Sequence, residues 1–192
     1  MNFIETIKVV NGNAINLEYH HKRIIRAIGH DIDFKIDIKE PDLLTGKVKY
    51  RFLYNSKGII DVSYIRYNMR NISSLQLVQS NEIDYHQKYE NRDCLNKLLK
   101  LKKNCDDILI VKNGMVTDSS YCNVVFSNKN GLFTPSNCLL KGTKRAYLID
   151  KGSIIEKDIS INDINNYDSL ILINAMIDIE DNLKIPRSNI IR

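Results

Sequence analysis

Lys88 lies in the run Lys88-Tyr89-Glu90-Asn91-Arg92, between an extended apolar segment and an amphipathic helix. Its amine can condense with an aldehyde as a Schiff base. One lysine among 28 Lys+Arg decides nothing, so its companions must. Arg23 follows His20 by one helical turn on the first helix. Asp118 sits just past a hairpin strand, in Thr117-Asp118-Ser119-Ser120-Tyr121-Cys122-Asn123. Gly142-Thr143-Lys144 opens a helix, where backbone N–H groups and the positive dipole end favour an anion. Asn174 follows the apolar strand Leu170 to Ile173, at a strand end where a polar side chain commonly faces a cleft. Each also has a plain structural reading. Arg23 fits a surface charge, Asp118 a turn cap, Gly142 an ordinary helix start, and Asn174 a side chain bonded to its own backbone.

The elements that would position these residues follow from periodicity. Phe3 to Val10 reads as a strand, and Asn11-Gly12 as a type I′ turn before Ala14-Ile15. Asn16 is placed to cap a helix whose inward face carries Leu17, His21, Ile24, Ile25 and Ile28, with Gly29 as its stop. Residues 30–46 read as a loop or short helix. Tyr50, Phe52 and Tyr54 alternate in a strand that turns at Asn55-Ser56-Lys57-Gly58. Ile59 to Asn68 returns as a second strand, and Leu75 to Val78 adds a third, giving an α+β unit on an antiparallel sheet.

Beyond Lys88 a helix turns Leu95, Leu98 and Leu99 inward. Hairpins follow at Asn113-Gly114 and Asn130-Gly131, then a helix over Thr143 to Asp150. Strands at Ile154 to Ile159 and Leu170 to Ile173 flank a short helix. The expected division is 1–85 and 86–192, with the boundary near residues 80 to 87.

Composition excludes several function classes. The 192 residues suffice for a buried core, and 43% hydrophobic with 27% charged residues describes an ordinary soluble globular protein. The net charge of +5 is modest. Its densest patch, Lys97, Lys100, Lys102 and Lys103, reads as a solvated helix face rather than a nucleic-acid footprint. Cys94, Cys105, Cys122 and Cys138 lack the spacing and His partners of a metal site, and they suggest no disulfide framework. No apolar run approaches ~18 residues and no leader pattern opens the chain, so no membrane role and a cytoplasmic location are expected.

Taken in order, the polar features resemble the class IV aminotransferase family. These are fold-type-IV pyridoxal-phosphate enzymes, and they include branched-chain and D-amino-acid aminotransferases and 4-amino-4-deoxychorismate lyase. Phe3-Ile4-Glu5-Thr6-Ile7 resembles the family's opening strand, and His20-His21-Lys22-Arg23-Ile24 its His-x-x-Arg-Leu helix. Lys88 to Arg92 and Asn174-Ala175-Met176 resemble segments of the lyase. Asp118 to Asn123 fits the acidic-Ser-Ser-x-x-Asn pattern, followed by Leu132-Phe133-Thr134-Pro135. Leu140-Lys141-Gly142-Thr143-Lys144-Arg145 resembles the Leu-x-Gly-Ile-Thr-Arg phosphate turn.

The resemblance implies an α/β (α+β), two-domain, D-amino-acid aminotransferase-like fold, with pyridoxal 5'-phosphate between the domains of a homodimer. It makes Lys88 the Schiff-base amine and proton-moving base, its pKa lowered by desolvation and nearby positive charge. Asp118 becomes the acid facing the pyridine nitrogen. Arg23, Gly142, Thr143, Lys144 and Asn174 become the grip on the phosphate. The chain departs from the family in several places. Asp118 stands for a usual Glu, Thr143-Lys144 for Ile-Thr, Val125 for an aromatic, and Asp93 for a tyrosine found after the lysine in some members. The chain is also shorter than most members, chiefly in its first domain.

The implied activity is transfer of an amino group between small amino and oxo acids. The lyase that releases pyruvate and 4-aminobenzoate is the more specific alternative, and a non-catalytic binding protein on the same fold is another.

Overall fold

The computed structural model describes residues 1–30, 36 and 46–192. Apart from His30, Ile36 and Gly46, the loop or short helix expected over 30–46 lies outside the described residues. The chain divides into two compact units. One comprises Met1–Met69 with Gln87–Asn91, and the other Arg70–His86 with Arg92–Arg192.

In the first unit, β1 (Phe3–Val10) turns through Asn11 and Gly12, at φ 48° and 76°, into β2 (Asn13–Ala14). Helix α1 (Leu17–Ile28) follows, then β3 (Lys47–Asn55) and β4 (Gly58–Arg66). The strands form an antiparallel sheet in the order β2-β1-β3-β4. Alternation along β3 buries Val48, Tyr50, Phe52 and Tyr54 with Ile7 and Val9 of β1 and Ile24 of α1. Burying each large apolar side chain contributes roughly 1.5–3 kcal/mol.

Two expectations for α1 are corrected. Its buried residues are His20, Arg23 and Ile24, whereas His21 and Ile25 are only half-buried. Apolar periodicity missed the rotation because Glu5, on the core face of β1, holds both His20 and Arg23. Asn16 makes no side-chain cap. It adopts the left-handed conformation (φ 57°) and its carbonyl accepts the N–H groups of Tyr19 and His20. Gly29, at φ 82°, ends the helix by donating to the Ile25 carbonyl at 2.8 Å, as expected.

The second unit contains β5 (Leu75–Gln79), α2 (Asp93–Leu99), β6 (Asp107–Lys112), β7 (Met115–Ser119), β8 (Asn123–Asn128) and β9 (Gly131–Pro135). It continues with α3 (Thr143–Asp150), β10 (Ile155–Lys157), β11 (Ser169–Ile173), β12 (Lys184–Pro186) and β13 (Ile190–Ile191). The sheet runs β10-β9-β8-β7-β6-β5-β13, with β11 paired to β8 and β12.

The third strand expected in the antiparallel sheet is β5, which instead runs parallel to β6 and β13 here. Leu75, Gln76 and Val78 are buried, and so point to both faces, as strands in parallel pairing usually do. Strands β7 and β8 pair at Asp118↔Asn123, after which β8 pairs with β9 and β11. This places Asp118 where the sheet changes partners.

Candidate active site

In the first unit the lysine segment is fastened to β1. The Ile4 N–H donates to the Lys88 carbonyl at 2.8 Å, and the Glu90 N–H donates to the Asn2 carbonyl at 3.0 Å. Tyr89 stacks on Phe3 with ring centroids 5.8 Å apart. The Lys88 backbone is thus fixed while its side chain is half-buried.

Glu5 lies one residue further along β1 and is wholly buried. Arg23 donates Nε to Oε1 at 2.7 Å and Nη2 to Oε2 at 2.6 Å, a bidentate ion pair. His20 Nδ1 lies 2.6 Å from Oε2. Burial alone would raise the Glu5 pKa, yet the charges and hydrogen bonds of Arg23 and His20 together hold it at about 2. Burial pushes the His20 pKa down; Glu5 opposes this, while the charges of Arg23 and Lys88 add to it. Arg23 therefore emerges as one member of a buried cluster, and its side chain is 4% exposed.

The second unit holds Asp118, Gly142, Thr143, Lys144 and Asn174. Asp118 and Asn123 are register partners joined by a tight turn, in which the Ser119 N–H donates to the Cys122 carbonyl and Ser119 Oγ accepts the Cys122 N–H. Asn123 Nδ2 donates to Asp118 Oδ1 at 2.8 Å, and the Leu140 N–H donates to Oδ2 at 2.9 Å. Burial pushes the Asp118 pKa up to about 6, against the pull of the Leu140 N–H, Asn123 and the Arg145 charge.

Gly142 precedes α3, which has no side-chain cap. Backbone N–H groups in a first helical turn lack acceptors within the helix. Thr143 and Lys144 are buried at that turn. The Lys144 ammonium pairs with Asp178, so the cation noted in the sequence is held by a carboxylate. Asn174 Oδ1 accepts the Met176 N–H at 2.8 Å, and its Nδ2 points to Cys122 Sγ at 3.1 Å. The oxygen thus shapes the Asn174-Ala175-Met176 turn itself.

Three further residues lie on or beside the elements that hold these candidates. Glu5 was visible as an acid inside an apolar strand, and Asn123 as the last residue of the acidic motif. Arg145 is 4% exposed and joins α3 to the Pro135 carbonyl at 2.8 Å and Glu156 at 2.6 Å. Its only sequence signal was its place in the phosphate-turn motif.

The donor set suits pyridoxal phosphate. An aldehyde needs an amine such as Lys88, and a phosphate needs a guanidinium or a helix start. A protonated ring nitrogen needs a buried acid with acceptor capacity. Each Asp118 oxygen accepts one of the hydrogen bonds above, and a carboxylate has about four lone-pair sites.

The fold is that of fold-type-IV enzymes, and the chain belongs to the class IV aminotransferase family. The family described as amino-transferase class IV matches residues 88–180, and members of this class are pyridoxal-phosphate enzymes. An uncharacterized protein of Haemophilus influenzae is 32% identical over 182 residues, covering 90% of this chain and 96% of that one. The crystal structure of a candidate 4-amino-4-deoxychorismate lyase from Haemophilus somnus 129PT is similar at TM-score 0.79 and 32% identity, covering 91% of this chain and 96% of that one. A hypothetical aminotransferase from Mycobacterium tuberculosis in its pyridoxal-phosphate-bound form has the same fold, at TM-score 0.71 and 18% identity, over 91% of this chain and 78% of that one. Among the described residues no helix is long and apolar enough to cross a membrane.

Proposed function

We propose that this chain binds pyridoxal 5'-phosphate and acts on the amino group of a small amino acid or amino-substituted acid. The buried acid Asp118, held beside the uncapped start of α3, is the observation that carries this reading. When bound, the cofactor supplies an aldehyde and an electron-withdrawing ring. Lys88 Nζ would hold the cofactor at its aldehyde carbon and would serve as the base that moves the substrate's α-proton. Asp118 keeps a proton on the ring nitrogen. Arg23 and the α3 start, Gly142, Thr143 and Lys144, hold the phosphate, with Lys144 contributing its backbone N–H rather than its paired ammonium. Asn174 shapes the turn that completes this grip.

The purified protein is expected to be yellow, and borohydride should attach the cofactor irreversibly to the peptide containing Lys88. A protein that stays colourless with added pyridoxal phosphate would overturn the proposal.

The lyase is the more specific reading, favoured by the 32% identity to the Haemophilus somnus candidate. With aminodeoxychorismate it should release pyruvate and 4-aminobenzoate. Amino transfer to 2-oxo acids without 4-aminobenzoate would assign it as a transaminase instead. The family resemblance also supports a homodimer, which light scattering of the purified protein would test.

A further inference from the structure

Gly142 sits at φ −68° and ψ 147°, an ordinary extended conformation open to any L-residue. What requires glycine is space. A Cβ at this position would lie 2.0 Å from Asn123 Oδ1 and 3.2 Å from Asn123 Cγ. The Asn123 carboxamide therefore lies against the backbone of the turn. Its Nδ2 donates both to Asp118 Oδ1 and to the Leu140 carbonyl, each at 2.8 Å. Asp118 Oδ2 in turn accepts the Leu140 N–H at 2.9 Å. Two side chains from neighbouring strands thus grip Leu140 by its N–H and its carbonyl, and one of them also abuts Gly142. Asn123 is 6% exposed, so these contacts are made away from water.

We propose that Asn123 is a positioning residue that locks the ring-nitrogen acid to the phosphate turn, fixing the spacing between the two ends of the cofactor site. A carboxamide suits the task because its two N–H groups point to two acceptors while its oxygen stays compact against a glycine. Aspartate lacks the donors, and leucine of similar size has no hydrogen-bonding groups. The inference rests on the pyridoxal-phosphate reading for its ligand, but the link between acid and turn exists in the protein alone.

The test uses the full chain and its N123S, G142A and N123S/G142A variants. Pyridoxal phosphate binding is measured by absorbance, and Asp118 is followed by carbon NMR titration of the cofactor-free protein, with D118N identifying its resonance. Arg145, Cys138 and the Leu140 N–H also face Asp118, and all are unchanged in these variants.

In N123S the Asp118 titration should move upward through loss of the carboxamide donor, and cofactor affinity should fall about tenfold, equivalent to about 1.4 kcal/mol. G142A alone should weaken binding at least as much. In the N123S background the same substitution should cost less than about threefold, because the obstructing oxygen has gone. An unchanged Asp118 titration in N123S, or fully additive effects of the two substitutions, would overturn the positioning role. If N123S does not fold, G142A decides: unaltered affinity and an unaltered Asp118 titration would also overturn it. Wild-type protein that binds no pyridoxal phosphate would instead sink the cofactor reading, while the titration still reports on the link.

Discussion

Two buried acids, Glu5 and Asp118, respond to their surroundings in opposite directions, and pH should separate them. Glu5 has its pKa depressed from 4.5 to about 2. Its contribution to stability is therefore complete above pH 4.5 and disappears as pH falls through about 2. It amounts to about 3 kcal/mol. E5Q would leave the Arg23 guanidinium buried without its counter-charge, so urea unfolding at pH 7 should show a loss of about 3–5 kcal/mol. The gap between wild type and E5Q should narrow toward pH 2.5. Asp118 has its pKa raised from 3.8 to about 6. The folded chain holds this proton after the unfolded chain has released it, so stability declines as pH rises from about 4 to 6. Melts of cofactor-free wild type and D118N across pH 4–7 should shift in favour of D118N by about 3 kcal/mol. A gap that stays constant over that range would contradict a buried, reluctantly ionised Asp118.

At the scale of elements, most strands and turns were legible because each depends on neighbours in sequence, whereas the short β12 and β13 after Ile173 were not foreseen. Asn113-Gly114 forms its turn at φ 51° and 78°, and the helix expected over Thr143 to Asp150 has those bounds. Features set by distant residues were not legible. The rotation of α1 depends on Glu5, fifteen residues before His20, and hydrophobic periodicity has no account of a buried ion pair. The parallel placement of β5 lies in its pairing with β6, beyond the intervening α2, and with β13 at the other end of the chain. Among the candidate site residues, the types and order were readable, whereas the partners were not. Lys144 makes this concrete. Its ammonium joins α3 to Asp178, the residue before the 3-10 turn Ile179–Asp181, with the two side chains 6% and 26% exposed. K144M should therefore lower stability by about 1–3 kcal/mol in urea unfolding, toward the low end because Asp178 keeps some contact with water. Cofactor affinity should stay within about threefold, since the backbone N–H remains. A large loss of affinity with unchanged stability would show that the ammonium binds phosphate directly.

At the scale of the whole molecule, the chain passes between its two compact units three times, at Met69/Arg70, His86/Gln87 and Asn91/Arg92. The short return over Gln87–Asn91 carries Lys88 into the first unit, whereas Asp118 and the α3 start belong to the second. Under the proposed function, Lys88 and the α3 start are both ligands of the cofactor. A ligand that binds only the folded chain stabilises it by RT ln(1 + [L]/Kd), about 2.7 kcal/mol at a hundredfold excess over Kd. Because the phosphate is held by groups other than the amine, removing the amine should weaken this coupling without abolishing phosphate binding. Calorimetry should show Tm rising with pyridoxal phosphate concentration in wild type. K88A should show a smaller rise that inorganic phosphate largely reproduces. In the cofactor-free state the two proteins should melt within a few degrees of each other, because the Lys88 segment is fastened to β1 through its backbone and Tyr89. Equal stabilisation of K88A and wild type by pyridoxal phosphate would mean that position 88 forms no bond to it, and the functional assignment would fail with it.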